Sequence, residues 1–327
     1  MKRIAVIGAG LAGLVVAREL GQDNEVTVFE KSRGVGGRIA TRYAGDYEFD
    51  HGAQFFTARS RQFQTFLQPL IAQGVVADWQ ARFAEFDRSE IVTTRQWQDD
   101  YPHYVGTPRM NVIGKWLARD IDVRLQTTVG RIDRSDNGWS IHDSEETPLG
   151  HFDWVVSSAP AAQTAALLSA SSAISVAGKS AGMRACRGLM LAFERPLELP
   201  FDAALVRNAD ISWISVNSSK PGRSEPACLV VHSSNAWADN HVDDDDESLT
   251  SHLKNELSEV TGIDVSKAAY CHVHRWRYAN TDQREGPAYC IDNKLQLAAC
   301  GDWFIRGRVE SAYLSAQQLT QALLQHL

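Results

Sequence analysis

No stretch of this 327-residue chain stays apolar for the length a bilayer crossing needs, so no membrane span is expected. Positive charge is not in surplus: 33 lysines and arginines face 40 aspartates and glutamates, a net charge of -7. There is no basic stripe and no repeated aromatic platform, which excludes nucleic acid as an expected partner. Cysteine is scattered. Cys186, Cys228, Cys271, Cys290 and Cys300 form no Cys-x-x-Cys pair, so neither a redox dithiol nor a zinc site is expected. Reduced thiols in a cytoplasmic protein are the plain reading. No Ser/His/Asp or Cys/His pattern announces a nucleophile. No secretory leader is expected either, because Gly8, Gly10 and Gly13 interrupt the apolar run after Met1-Lys2-Arg3. The closing residues read as a mixed helix rather than a hydrophobic anchor.

What is present is concentrated at the two ends. Ile4, Ala5, Val6 and Ile7 form a continuous apolar run, as in a parallel strand covered on both faces. Gly8, Gly10 and Gly13 follow as Gly-x-Gly-x-x-Gly, opening directly into a helix. Gly8 permits the turn, Gly10 admits a pyrophosphate to the backbone, and Gly13 allows close helix–strand packing. Leu11 and Ala12 stand between them, where a helix N-terminus offers N–H groups and partial positive charge to a phosphate. A second strand (Val26, Val28, Phe29) ends at Glu30, 20 positions after Gly10, where an acid accepts ribose hydroxyls. Strand, turn, helix, strand and acid fall in order, which reads as dinucleotide binding.

Immediately after come Lys31 and a second glycine cluster ending in Gly36-Gly37-Arg38. A nicotinamide cofactor does not require it. It lets the chain cross over a longer cofactor and brings a guanidinium to its phosphates. Asp50-His51-Gly52-Ala53-Gln54-Phe55-Phe56-Thr57 then supplies another glycine among polar and aromatic side chains. At the other end, Cys300-Gly301-Asp302-Trp303 closes a strand, and Gly307-Arg308-Val309-Glu310 opens a helix.

This train of motifs resembles the flavin amine oxidase superfamily, and its Gly-Ala-Gln-Phe-Phe-Thr, Cys-Gly-Asp-Trp and Gly-Arg-Val-Glu wording is similar to the bacterial renalase-like branch. The resemblance implies an α/β fold. A Rossmann-type FAD-binding domain, of the amine oxidase and p-hydroxybenzoate hydroxylase-like kind, would carry a second α+β substrate domain on an antiparallel sheet. The FAD-binding domain would comprise residues 1–60, 105–160 and 290–327, and the substrate domain 61–104 and 161–289. Gly8, Gly10, Leu11, Ala12, Gly13, Glu30, Lys31 and Arg38 would hold the adenosine and phosphates. Gly52, Ala53, Gln54 and Phe55 would lie under the ring, and Val129 would bring backbone to the adenine. Asp302 would accept from a ribityl hydroxyl, with Val309 and Glu310 at the pyrimidine edge. No cysteine but Cys300 lies near Asp302–Tyr313, so the FAD is expected to be noncovalent. Two positions depart from the branch: His51, where it has a small or apolar residue, and Ser311, where it has glycine. No second Gly-x-Gly-x-x-Gly follows a later strand, so no separate NADPH-docking domain is expected.

Between the ends the signals are local. A helix is expected over residues 60–70, hairpin-like strands around Trp79 to Trp97, and a strand over 123–132. Asp243-Asp-Asp-Asp246-Glu247 precedes helical spacing (Leu249, Leu253, Leu257, Val260) and reads as a helix start rather than a metal site. On a strand over Cys271–Ala279, His272, His274, Trp276 and Tyr278 share one face. His274, Trp276 and Tyr278, with Arg187, are the candidate substrate pocket; no metal is assigned.

The branch implies a small-molecule substrate, an isomeric dihydronicotinamide dinucleotide (2- or 6-dihydro-NAD(P)), oxidised with dioxygen as acceptor and hydrogen peroxide as product. Hydride transfer from an already reduced ring needs no strong general base. A flavin amine oxidase or desaturase and a non-catalytic flavin-binding protein are the competing readings. An amine oxidase calls for a lysine near the flavin, and Lys267 and Lys294 are poorly placed for that.

Overall fold

The computed structural model describes residues 1–97, 101–223 and 226–327, which divide into two compact units. The first comprises Met1–Arg38, Ile113–Met183 and Thr281–Leu327, and the second Ile39–Val112 and Arg184–Asn280. No helix among the described residues is long and apolar enough to cross a membrane.

The first unit is built on a six-stranded sheet. Its order is Tyr289–Asp292, Leu297–Cys300, Trp154–Ser157, Arg3–Ile7, Glu25–Phe29, Asp122–Arg124. Every neighbouring pair is parallel except the antiparallel edge strand Tyr289–Asp292. Arg3–Ile7 lies inside this sheet, which is why Ile4 to Ile7 are buried without alternation. Ala5, Ile7 and Val155 share a core with Trp139, Ile141 and Phe152 of a three-stranded antiparallel sheet. Ala161 and Ile174, from the helices Ala161–Leu167 and Ser172–Lys179, complete that layer. The helices Leu11–Leu20 and Val309–Leu323 pack on one another, so the two chain ends belong to one unit.

The second unit carries a seven-stranded sheet in the order Tyr270–Asn280, Arg184–Phe193, Ala227–Ser233, Ile211–Val216, Ala203–Arg207, Arg82–Asp87, Glu90–Gln96. Arg184–Phe193 is buried nearly end to end because both its faces are covered. Leu189 and Leu191 share a core with Leu249, Leu253 and Leu257 of the helix Asp246–Thr261, and Met190 and Ala192, beside Val230 of the neighbouring strand, share another with Phe49. The expected antiparallel sheet needs one correction: Ala203–Arg207 and Arg82–Asp87 are parallel. These strands come from separate passages of the chain, and only the tertiary fold brings them together.

Other expectations shift for local reasons. The stretch 123–132 is two strands, Asp122–Arg124 and Val129–Ser135, in different sheets. Gln126 between them takes φ +54° and donates its N–H to the Ser32 carbonyl at 3.0 Å, which turns the chain. Phe152 ends one strand and Trp154 begins another, with Asp153 between them accepting from the Arg3 N–H at 2.7 Å. The limits of the compact units also differ from the expected domains. Residues 39–60 and 105–112 fall in the second unit, and 161–183 and 281–289 in the first. Phe49 is part of the second unit's core, whereas Ala161 and Ile174 are part of the first's.

Candidate functional site

In the first unit the fingerprint glycines are fixed by steric need. Gly8 has φ +100°, a conformation side chains rarely adopt, and its N–H donates to the Phe29 carbonyl at 2.8 Å. A Cβ on Gly13 would lie 2.0 Å from the Gly8 carbonyl oxygen. Gly10 is different: a Cβ there meets no protein atom within 4 Å. It also precedes a helix that no side chain caps. That is a cradle open to an anionic group, with Leu11 and Ala12 in the first turn. The second glycine cluster lies against it, the Gly36 N–H donating to the Ala9 carbonyl at 2.8 Å.

Glu30 is buried at the end of its strand. One carboxylate oxygen accepts from the Ala9 N–H and the other from the Ser32 N–H, each at 2.8 Å. It therefore ties the fingerprint turn to the second strand, and each oxygen retains a lone pair for a ribose hydroxyl. Lys31 is exposed at the surface, its Nζ 3.5 Å from Gln163 Oε1. Val129 is half-buried at the start of its strand. Arg38 reaches Asp302, which is buried in the turn after Leu297–Cys300, and donates to both its oxygens. The next helix begins at Val309, with Glu310 in its first turn and no side-chain cap. Cys300 is fully buried, and burial pushes its thiol up to about 12, so it presents no thiolate for covalent chemistry. These residues fit FAD: two helix starts without side-chain caps, an open glycine cradle, a ribose acceptor and an arginine–aspartate pair in one unit.

In the second unit, the turn Gly52-Ala53-Gln54-Phe55 is held by a buried polar network. Gln54 Oε1 accepts from Ser215 Oγ at 2.6 Å and from Lys220 Nζ at 3.0 Å. Its Nε2 donates back to the Gly52 carbonyl at 3.0 Å and to that of Asp50. Lys220 is completely buried and also donates to Asn217 Oδ1 at 3.1 Å. Burial pulls its ammonium down to about 8 against the opposing pull of Asp50, with Arg223 lowering it further. Burial pushes the Asp50 carboxyl up, but Lys220, Arg223 and the Met110 N–H outweigh it and hold it below the usual range. Phe55 packs on Trp97 and Trp213, at 4.8 and 5.3 Å between ring centroids.

His274, Trp276 and Tyr278 are half-buried at alternate positions of Tyr270–Asn280. The structure brings His51 to them. Its ring stacks on Trp276 at 5.1 Å and meets the edge of His274 at 4.7 Å. The Trp276 indole N–H donates to the His51 carbonyl at 3.0 Å, and His232 Nε2 lies 3.1 Å from the same oxygen. Burial, followed by the repulsion that His274 would exert if also protonated and by Arg42, pulls His51 down to about 3. Burial first, then Arg42, pulls His274 to about 4. Both imidazoles are therefore neutral at physiological pH.

Arg187 departs from its expected place in the pocket. It is buried, and its guanidinium donates to Asp246 at 3.0 Å and to the carbonyls of His241 and Val242 at 3.0 and 2.9 Å. It clamps the loop ahead of the helix Asp246–Thr261. The acids of that loop have similar work. Asp245 caps the helix, accepting from the Glu247 and Ser248 N–H groups, and Asp243 pairs with Arg275 and Arg277. Sequence reasoning missed Asp50, Lys220, Arg223 and Ser215. Asp50 next to Gly-Ala-Gln was the available signal, while Lys220-Pro-Gly-Arg223 reads only as a turn.

Comparison with known proteins agrees with this geometry. Residues 6–70 match the NAD(P)-binding Rossmann-like domain model, and residues 111–324 match the model for flavin containing amine oxidoreductase. Renalase of Mus musculus is 22% identical over the whole of both chains. In structure the chain is similar to a provisionally assigned protoporphyrinogen oxidase from Exiguobacterium sp. 255-15, with a TM-score of 0.77, 12% identity and 98% of each chain covered. It is also similar to wild-type putrescine oxidase bound to putrescine, with a TM-score of 0.68, 11% identity and 99% of each chain covered. The open cradle at Gly10, the Glu30 acceptor and the family match over most of the chain lead to one conclusion: this protein belongs to the flavin containing amine oxidoreductase family and is an FAD-dependent oxidoreductase.

Proposed function

We infer that the protein is a renalase-like oxidase, converting 2- or 6-dihydro-NAD(P) to NAD(P)+ with dioxygen reduced to hydrogen peroxide. FAD, when bound, supplies the hydride acceptor and the route of the electron pair to dioxygen. The chain's own residues bind and orient. The Gly10 helix start and Arg38 suit the cofactor's phosphates, Glu30 its ribose, and Asp302 its ribityl chain. The start of Val309–Leu323 offers partial positive charge to an electron-rich ring edge. Gly52, Ala53, Gln54 and Phe55 are proposed for the ring face and the Val129 backbone for the adenine.

One observation carries the substrate class: His51 stacks on Trp276 and His274 meets both edge-on, an aromatic cluster whose two imidazoles stay uncharged. Such a surface, with Tyr278 at its end, suits a neutral dihydropyridine ring better than an ammonium. The reaction removes a hydride from an already reduced ring, so no general base is required. The full-length similarity to renalase supports the same reading. A simple-amine oxidase has less support. Lys267 and Lys294 are both exposed, and the buried Lys220 is engaged by Gln54 and Asn217.

The test is anaerobic mixing of the FAD-loaded protein with each dihydronicotinamide isomer. Rapid bleaching of the flavin is expected with the 2- or 6-dihydro forms. A flavin that stays oxidised at millimolar substrate removes this assignment, and peroxide released from simple amines replaces it.

A further inference from the structure

Apart from the residues above, Asp210, His252 and Glu256 bring three ligand atoms within 4.8 Å of one another. His252 and Glu256 stand four residues apart on the helix Asp246–Thr261, and so share one flank. That helix is immobilised by Leu249, Leu253, Leu257 and Val260 in the core. Asp210 comes from the tight turn joining Ala203–Arg207 to Ile211–Val216, in which Asn208 takes φ +56°. His252 Nε2 lies 2.8 Å from Asp210 Oδ2, and Glu256 Oε2 accepts from the Asp210 N–H at 3.1 Å. The imidazole plane is held by Trp237, which stacks on it at 5.0 Å and 8°; the same indole stacks on His241 at 4.5 Å.

A plain ion pair would need only Asp210 and His252, and a flank cap would need only Glu256. Here one imidazole nitrogen and two carboxylates from two fixed elements converge. All three side chains are only partly buried, and an open depression of about 400 Å³ lined by Asn208, Trp237 and Asn240 adjoins the cluster on the Asp210 side.

We propose that Asp210, His252 and Glu256 form a divalent-cation site. One nitrogen and two carboxylate oxygens, with water completing the shell, match a first-row transition ion of the zinc type. They do not match a soft ion, which prefers thiolate, or calcium, which takes six or more oxygens. Because the ligands come from a helix and from a strand-connecting turn, the ion staples the two. It stabilises the folded state by mass action and takes no part in flavin chemistry.

Chelator-treated, FAD-loaded full-length protein is titrated with Zn2+ and, in parallel, with Co2+. One site is expected, with a dissociation constant on the order of micromolar. Co2+ is expected to give absorption bands at longer wavelength than the oxidised flavin, and Zn2+ to raise the unfolding temperature. His252→Ala and Glu256→Gln, each checked for an unchanged metal-free unfolding temperature and flavin spectrum, are each expected to weaken binding by at least about tenfold. No binding at ~100-fold above that constant, or binding of equal strength in both variants, overturns the site.

Discussion

Arg38 and Asp302 lie 264 residues apart in the chain and meet in a bidentate pair, Nη1 donating to one carboxylate oxygen at 2.8 Å and Nη2 to the other. The family resemblance implies a cofactor role for each separately, phosphate for the arginine and a ribityl hydroxyl for the aspartate. The fold joins them before any ligand is considered. The aspartate is buried and the arginine only partly so, and the guanidinium thus holds an otherwise lone buried carboxylate in place. Arg38→Ala is expected to weaken FAD binding by roughly ten- to a hundredfold, since a charge-assisted bidentate contact is lost and Asp302 is freed to reorient. Fluorescence titration of apoprotein with FAD measures this. An unchanged dissociation constant removes Arg38 from the cofactor site.

Gly10 and Gly13 separate binding from folding. A methyl on Gly13 collides with the Gly8 carbonyl, whereas one on Gly10 meets no protein atom. Gly13→Ala is expected to lower stability by more than about 2 kcal/mol through overpacking. Gly10→Ala is expected to leave the unfolding free energy of the apoprotein, from urea unfolding, within about 0.5 kcal/mol of wild type, yet to reduce FAD affinity at least about tenfold. Equal FAD affinity in Gly10→Ala would show that the cradle is not used.

Lys220 concerns the turn rather than the chemistry. Its ammonium contacts Gln54 and Asn217, and Asp50 lies 3.6 Å away. Lys220→Met keeps the volume but leaves Gln54 and Asn217 short of a donor and removes one of the two cations beside Asp50, leaving Arg223. A loss on the order of 3 kcal/mol is expected from urea unfolding. A variant as stable as wild type would mean the buried charge contributes no net stability, as can occur when an apolar replacement packs well.

The histidines make stability depend on pH. Folding pulls His51 down to about 3 and His232 and His274 to about 4, from an ordinary 6.5. Between those values and 6.5 the unfolded chain binds more protons than the folded one. The free energy of unfolding therefore rises with pH across that window and levels off above it, at up to about 1.4 kcal/mol per pH unit for each histidine. Urea midpoints followed from acid to neutral pH check the slope, which is expected to flatten in His274→Asn. A slope that His274→Asn leaves unchanged counts against a neutral His274.

The chain ends were legible because their requirements are local and steric. A positive φ, a helix start without a side-chain cap and an acid at the end of the next strand all leave marks in sequence, at Gly8, Gly10 and Glu30. The alternation of His274, Trp276 and Tyr278 was legible for a similar reason, since a strand has period two. His51 could be noted as a departure from the branch, but not as their stacking partner. Arg187 looked like a pocket residue because nothing in its neighbourhood of the sequence reveals that the loop at 241–246 wraps its guanidinium.

By itself the sequence determined a dinucleotide-type turn at one end, a matching acid and helix start at the other, and the amphipathic helices and strands between. Only the tertiary structure decided that Lys220 is a buried cation rather than a turn lysine, that Ala203–Arg207 runs parallel to Arg82–Asp87, and that Asp210 meets His252 and Glu256. The physical reason is range. Dihedral preference and periodicity act over a few residues, whereas burial of charge, strand pairing and ligand convergence depend on which distant segments the core draws together.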